Sequence, residues 1–299
     1  MSSSASRAEP MTIRAAQHGD KSLASLIFLV LLWLSITFSI VVLMVLLIDT
    51  FLDALPRLDS NLITRYTSQV IPARAGARAS ILGSAFVVTT TAVMAVPVGI
   101  AAAVYLEEFA PRTSRFARFV ELNVQNLAAV PAIIYGLLTA GLVVTFGIKR
   151  NSVLSGSIAL ALLILPVIIV TTREALRAVP AEIRQGSLAL GATPMQTVWR
   201  QTLPSAVPGI ATGSILALSR ALGEAAPLLL LGGLVFVTYD PDGLLSGFST
   251  LPIQIYDWSS RSQDEFKQVA AAAIILLLAL LLVMNALAII IRNRYQRRW

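Results

Sequence analysis

Two charged residues, Arg220 and Glu224, stand inside ILALSRALGEAAPLLLLGG (Ile215–Gly233), within the longest apolar run of the chain. An arginine at membrane depth costs on the order of 2.5–3.5 kcal/mol on insertion scales, so a charge kept there usually faces a cavity or a pathway. A guanidinium stays protonated at any working pH, and its planar fork of donors matches the oxygens of an oxyanion. Four residues apart, the two side chains would share one helix face, one turn from each other. Arg220 can then attract a dehydrating anion. Glu224 can hold the guanidinium between ions and weaken its grip enough for release. The plainer alternative is a buried ion pair that only fixes packing. Against it, Arg before Glu is the less favourable helical order, and such pairs are often no more stable than apolar replacements.

Little other chemistry is available. The chain has no cysteine, and its one histidine, His18, lies in a polar tail, so thiol chemistry and Cys/His metal sites lack their donors. No G-x-x-x-x-G-K-[ST] loop is present. Lys21-Ser22 follows Asp20 without the glycines that would cradle phosphates. With no paired acid, nucleophile or metal-ligand spacing beside it, Glu224 as the acid or base of a stand-alone membrane enzyme is the weaker alternative. The net charge of +7 is dispersed between apolar runs and forms no basic patch interleaved with aromatics, so no nucleic-acid partner is expected.

The elements that must carry Arg220 and Glu224 are set by lipid. Of 299 residues 56% are hydrophobic and 13% charged, and the mean hydropathy is +0.78; a bilayer is the solvent this composition answers to. Six stretches reach the length of about 20 residues that a spanning helix needs: Leu23–Ile48, Ser80–Leu106, Leu127–Gly147, Val153–Val170, Ala206–Val237 and Val269–Ile291. The expected fold is all-α, a polytopic six-helix permease domain over 23–292. A disordered polar tail (1–22) precedes it and a basic tail (293–299) follows. The first span is too long for a signal-peptide core and is read as a retained helix. GIKRNSV reads as a tight turn between the third and fourth spans, and the fifth span is long enough to tilt or break. No internal repeat is visible.

Lysine and arginine give the orientation. Fourteen fall on one side: Arg7, Arg14, Lys21, Arg112, Arg115, Arg118, Arg173, Arg177, Arg184, Arg200, Arg292, Arg294, Arg297 and Arg298. Eight fall on the other, among acidic residues: Arg57, Arg65, Arg74, Arg78, Lys149, Arg150, Arg261 and Lys267. The bias places both termini in the cytoplasm, although four arginines in the first outer loop dilute it.

Residues 173–204, REALRAVPAEIRQGSLALGATPMQTVWRQTLP, then form a cytoplasmic loop. Pro180 and Glu182 suit a helix start, and Gly191 suits a left-handed C-cap. Thr193, Pro194 and Gln196 spell a capping box that starts a second helix toward Trp199. The spacing fits a plain connector and a docking element about equally.

The run from Gln185 through Gly191 to Pro204 resembles the EAA loop of ATP-binding-cassette importer permeases. The segments VPVGIAAAVYLEEFAP (96–111), NLAAVPAIIYGLL (126–138), LPVIIVTTREALRAVP (165–180), SRALGEAAPLL (219–229) and LPIQIYDW (251–258) together are similar to the phosphate-specific PstA-type branch. The likeness runs from Ile81 to the C-terminus. It implies a type I importer permease in a bacterial cytoplasmic (inner) membrane, with a short helix that docks on an ATPase subunit. The implied docking residues are Gln185, Gly186, Ser187, Leu188, Ala189, Leu190, Gly191, Ala192 and Thr193. Gln185-Gly186-Ser187 stands where the loop's name expects Glu-Ala-Ala, so a carboxylate for an ATPase salt bridge is missing. The implied partners are a PstC-like second permease, a PstB-like ATPase pair that carries ATP and magnesium, and a PstS-like external binding protein. The implied cargo is inorganic phosphate, moved by alternating access, with Arg220 and Glu224 on the path. No cofactor is expected in this chain. Sulfate or molybdate is the alternative cargo.

Several other features have plain readings. Thr89, Thr90 and Thr91 are expected to bond to backbone or a neighbouring helix rather than line a pathway. Asn123, Gln125 and Asn126 are read as caps or inter-helix bonds. Pro97, Pro131 and Pro227 are expected to kink their helices. Tyr239, Tyr256 and Trp258 fit an interfacial belt, and RNRYQRRW an inner-leaflet anchor.

Overall fold

The computed structural model describes residues 23–111, 113–233 and 236–295, the side chains of Ala24 and Tyr295 apart. The expected tail 1–22, Arg112 and the last residues of the basic tail (296–299) lie outside them. The chain divides into two compact units, Met1–Asp49 and Thr50–Trp299. The first contributes most of the apolar helix α1 (Leu23–Ala54).

In the second unit follow α2 (Ser60–Thr64), α3 (Arg78–Val104), α4 (Arg115–Ala128), α5 (Ala132–Thr145) and α6 (Val153–Arg177). After them come α7 (Ala181–Ala189), α8 (Pro194–Thr197), α9 (Leu203–Leu222), α10 (Ala226–Leu230), α11 (Leu251–Ser259) and α12 (Asp264–Tyr295). There is no strand among the described residues, only an isolated bridge between Ser152 and Gly247. Among the described residues five helices are long and apolar enough to cross a membrane, or six if the bent pair α4–α5 counts as one span.

Two spans differ from their sequence expectation. The third is not one helix: α4 and α5 meet at 110° across Ala129–Pro131. Proline disfavours helical geometry in the residue before it and has no N–H, so α4 must stop and α5 must restart. The fifth is displaced. Its helix starts at Pro194, passes through a π turn at Val198–Thr202 and stops at Leu222, well short of Val237. Pro97 sits inside α3, and Pro227 opens α10 rather than bending a longer helix.

The core is a packing of α3, α5, α6 and α9, with α10 and α11 folded onto it; Val87, Tyr135, Leu160, Ile164, Ile168, Ala217 and Leu228 belong to one buried cluster. Lipid offers no hydrophobic drive to bring helices together, so close approach and shared hydrogen bonds must do it. Both are present. A Cβ on Gly213 would lie 2.5 Å from Thr171 Oγ1, and one on Gly209 would lie 2.7 Å from Ala175 Cβ. Ser157 Oγ donates to Val87 O at 3.1 Å while Thr91 Oγ1 donates to Ser157 O at 3.3 Å, a reciprocal tie between α3 and α6. Thr91 therefore takes its plain reading. Asn123 donates to Phe119 O within α4, so it is neither a cap nor an inter-helix bond.

Around the start of α3, three arginines from the minority side of the charge bias act as staples. Arg57 donates to Pro72 O and Ala75 O. Arg78 pairs with Asp240 at 2.6 Å, and Arg261 pairs with Asp257 at 2.9 Å. The Arg78 hydrogen bond holds the Asp240 carboxyl below its ordinary range. Trp258 corrects the interfacial belt: it is 0% exposed, in a cluster with Leu251, Phe266 and Val269, whereas Tyr239 and Tyr256 are exposed.

Gly136 and Gly141 of α5 test this packing. A Cβ on Gly136 would meet the Pro227 backbone oxygen at 2.6 Å, whereas one on Gly141 would meet nothing within 4 Å. Both alanines gain about 1 kcal/mol of helix propensity. Gly141→Ala is expected to hold or raise the melting temperature of the detergent-solubilised chain, and Gly136→Ala to lower its stability by roughly 2 kcal/mol, the usual scale of overpacking. Equal melting temperatures would contradict the α5–α10 contact.

Candidate functional site

The loop between α6 and α9 folds as its residue types require. Pro180 is the N-cap of α7, with Glu182 in the first turn, where the helix dipole favours a negative charge. At the other end Gly191 takes φ +84. Its N–H donates to Leu188 O and that of Ala192 to Ser187 O, the paired bonds of a Schellman closure. Thr193 then caps α8, and both bonds of its capping box with Gln196 are made. Ser187 Oγ and Thr197 Oγ1 lie 2.9 Å apart and lock α7 to α8.

The residues expected to dock a partner are mostly outward. Gln185, Gly186, Leu188, Ala189, Gly191 and Thr193 are exposed, and Leu190 is 91% exposed. Met195 and Trp199 extend this apolar surface. Ser187 and Ala192 are half-buried. A cleft of about 460 Å³ lies between α7 and the start of the next helix, lined by Glu182, Ile183, Gly186, Leu190 and Arg200 among others. An exposed apolar ridge beside a cleft is the kind of surface that marks an interaction site.

Arg220 and Glu224 are close but not on one helix. Arg220 sits in the last turn of α9, Gly223 closes that helix, and Glu224 lies beyond it. Their ion pair is 3.6 Å long, with the Arg220 side chain 56% exposed and Glu224 24% exposed. The i,i+4 helical argument therefore fails, and so does the buried pair. What remains is a guanidinium at a helix C-terminus, where the dipole favours a cation, turned out of the chain with a carboxylate loosely beside it. An anion could compete with so long a contact. Among the described residues no cluster of three His, Cys, Asp or Glu side chains could hold a metal.

Sequence reasoning misses a network of charges at the loop end. The π turn Tyr105–Phe109 that prolongs α3 carries Glu107 and Glu108. Glu107 accepts from Arg173 at 3.1 Å and from Arg177 at 2.8 Å, Arg173 also reaches Glu121 at 2.9 Å, and Glu108 pairs with Arg184 at 2.8 Å. The available signal is an acidic pair at the end of an apolar run, facing the arginine-rich segment 173–184.

These features define a polytopic helical membrane protein with an exposed loop helix. Its fold is that of importer permeases: a chain of a bacterial alginate ABC transporter, solved with an alginate-bound periplasmic protein, superposes with a TM-score of 0.62 at 15% identity, over 93% of this chain and 99% of that one.

Residues 95–298 match the family described as binding-protein-dependent transport system inner membrane component, and the chain belongs to that family. It is 39% identical over 166 residues to the phosphate transport system permease protein PstA 1 of Mycobacterium tuberculosis, a match covering 55% of this chain and 53% of that protein. It is 32% identical over 220 residues to PstA of Haemophilus influenzae, covering 72% and 75%. The chain thus spans about half the length of the mycobacterial relatives it matches.

Gly191 is the most stringent point in the loop. A β-branched residue at φ +84 costs at least about 1–2 kcal/mol in backbone strain, whereas asparagine tolerates that conformation. Gly191→Val is expected to lower the melting temperature of the detergent-solubilised chain, and Gly191→Asn to hold it near the parental value. An unshifted valine variant would contradict the left-handed closure of this turn.

Proposed function

We propose that this chain is one permease subunit of an ATP-driven importer of inorganic phosphate, forming half of the pathway and docking a separate ATPase through α7. The observation that carries the reading is Arg220, held at the end of α9 and turned out of the chain beside Glu224. Around it stand the family membership and the matched relatives, several of which are described as phosphate transport permeases. An outward guanidinium needs a companion surface to complete a path, which the second, PstC-like permease supplies. A PstB-like ATPase pair supplies ATP hydrolysis with its magnesium, and a PstS-like external protein delivers the anion.

In this reading the loop helix lies in the cytoplasm, where Arg173, Arg177, Arg184 and Arg200 gather, and both termini lie on that side. Arg220 attracts the anion as it loses water, and Glu224 takes the guanidinium back on release. Binding must be strong enough for entry and weak enough for exit, and a 3.6 Å internal partner meets that need. Nucleotide-driven closure of the ATPases biases two states of the bundle.

Arg220→Gln is expected to reduce phosphate uptake at least 100-fold in vesicles holding the assembled complex, with assembly unchanged. Uptake at the parental rate would remove Arg220 from the path. Competition by sulfate or molybdate at equal concentration distinguishes the cargo: phosphate selectivity is expected, and preferential uptake of either rival would reassign it.

A further inference from the structure

We propose that Glu108 is a positioning residue that fastens the loop helix to α3, so that displacement of α7 moves this span instead of being absorbed in the loop. The inference rests on the proposed importer function. The Glu108 side chain is 9% exposed and lies in the π turn at the end of α3. Ala110 N–H reaches back to Tyr105 O at 2.8 Å in that turn, the wide winding often found at functional sites.

Glu108 is bound by Arg184 of α7, whose Nη2 donates to Oε1 at 2.8 Å and whose Nε lies 3.3 Å from the same oxygen. The same guanidinium donates Nη1 to Val179 O at 2.9 Å and Nη2 to Leu176 O at 2.7 Å, closing the carbonyl end of α6. One side chain of the loop helix thus grips two spans at once. Among the described residues this is the salt bridge that joins α7 to a span. Glu107, one residue earlier, instead ties α3 to Arg173 and Arg177 of α6.

Beneath the bridge, Ile183 of α7 packs on a cluster of Val104, Leu176, Val179, Val198 and Ala206. That contact seats the helix but can slide, because apolar packing has no direction. The bidentate charge-assisted bond fixes register. Its two connections separate by mutation: Glu108→Ala leaves Arg184 on the carbonyls of Leu176 in α6 and Val179 just after it, and cuts only the link to α3.

The test uses the complete complex, with ATPase, companion permease and external binding protein, in proteoliposomes, and reads anion moved per ATP hydrolysed. Phosphate, sulfate and molybdate are each offered, so that a mistaken cargo changes which anion moves but not the comparison with the parental ratio. Glu108→Ala is expected to assemble and hydrolyse ATP while the ratio falls about tenfold. Glu107→Gln, which touches only the α3–α6 tie, is expected to stay within about twofold. A parental ratio for Glu108→Ala overturns the proposal. Should that variant fail to assemble, the isosteric Glu108→Gln is read in its place, and a parental ratio there overturns it equally.

Discussion

A helix that ends while its apolar sequence continues must still satisfy its last carbonyls, and α9 is such a helix. Its closure at Gly223 fixes most of what surrounds the proposed path. Gly223 N–H bonds to Arg220 O at 3.1 Å and Glu224 N–H to Ala221 O at 3.2 Å, a tightened last turn that uses the chain's own donors. The cation of that turn is Arg220, placed where the helix dipole favours it. The chain then re-enters as α10, and α10 packs on α5 only because Gly136 lets the Pro227 backbone come so near. Remove the break and Arg220 becomes one more residue on a long span.

The same helix reaches the other end of the molecule. From Pro194 to Leu222 it runs 29 residues without interruption, about 40 Å at the usual rise, with the π turn at Val198–Thr202 inside it. The exposed loop helix and the outward arginine are therefore joined by one continuous element. The loop helix is seated by Ile183, hydroxyl-locked at Ser187 and Thr197, and gripped at Arg184. Motion imposed on α7 is delivered to helices rather than to flexible chain. This is the mechanical content of the proposed coupling.

Local grammar is legible from residue types, and long-range partnership is not. The turn at Gly191 and the capping box at Thr193 follow from stereochemistry within a few residues, and the structure has both. The apolar runs announce the all-helical membrane architecture for the same reason: lipid constrains composition directly. Hydropathy, however, counts apolar residues and is blind to a helix end, so it passes over the break at Gly223 and puts Arg220 and Glu224 on one face. Trp258 reads as an interfacial residue because its neighbours are polar in sequence, whereas the cluster that buries it draws on α12, on Ala54 at the end of α1, on Leu62 of α2 and on Ala75 and Ala77 just before α3. Glu107 and Glu108 find their arginines 66 to 76 residues away, a separation no local pattern encodes.

The central claim is that the face of α9 bearing Arg220 borders an aqueous anion path. Leu216 lies one turn earlier on that face and is exposed, and the chain has no native cysteine to confuse a thiol probe. In the assembled complex, a Leu216→Cys variant labelled with a membrane-impermeant thiol reagent tests the claim directly. The account predicts rapid labelling that slows when phosphate is present. Labelling only by a lipid-dissolved reagent, indifferent to phosphate, would place Arg220 against the bilayer and contradict it.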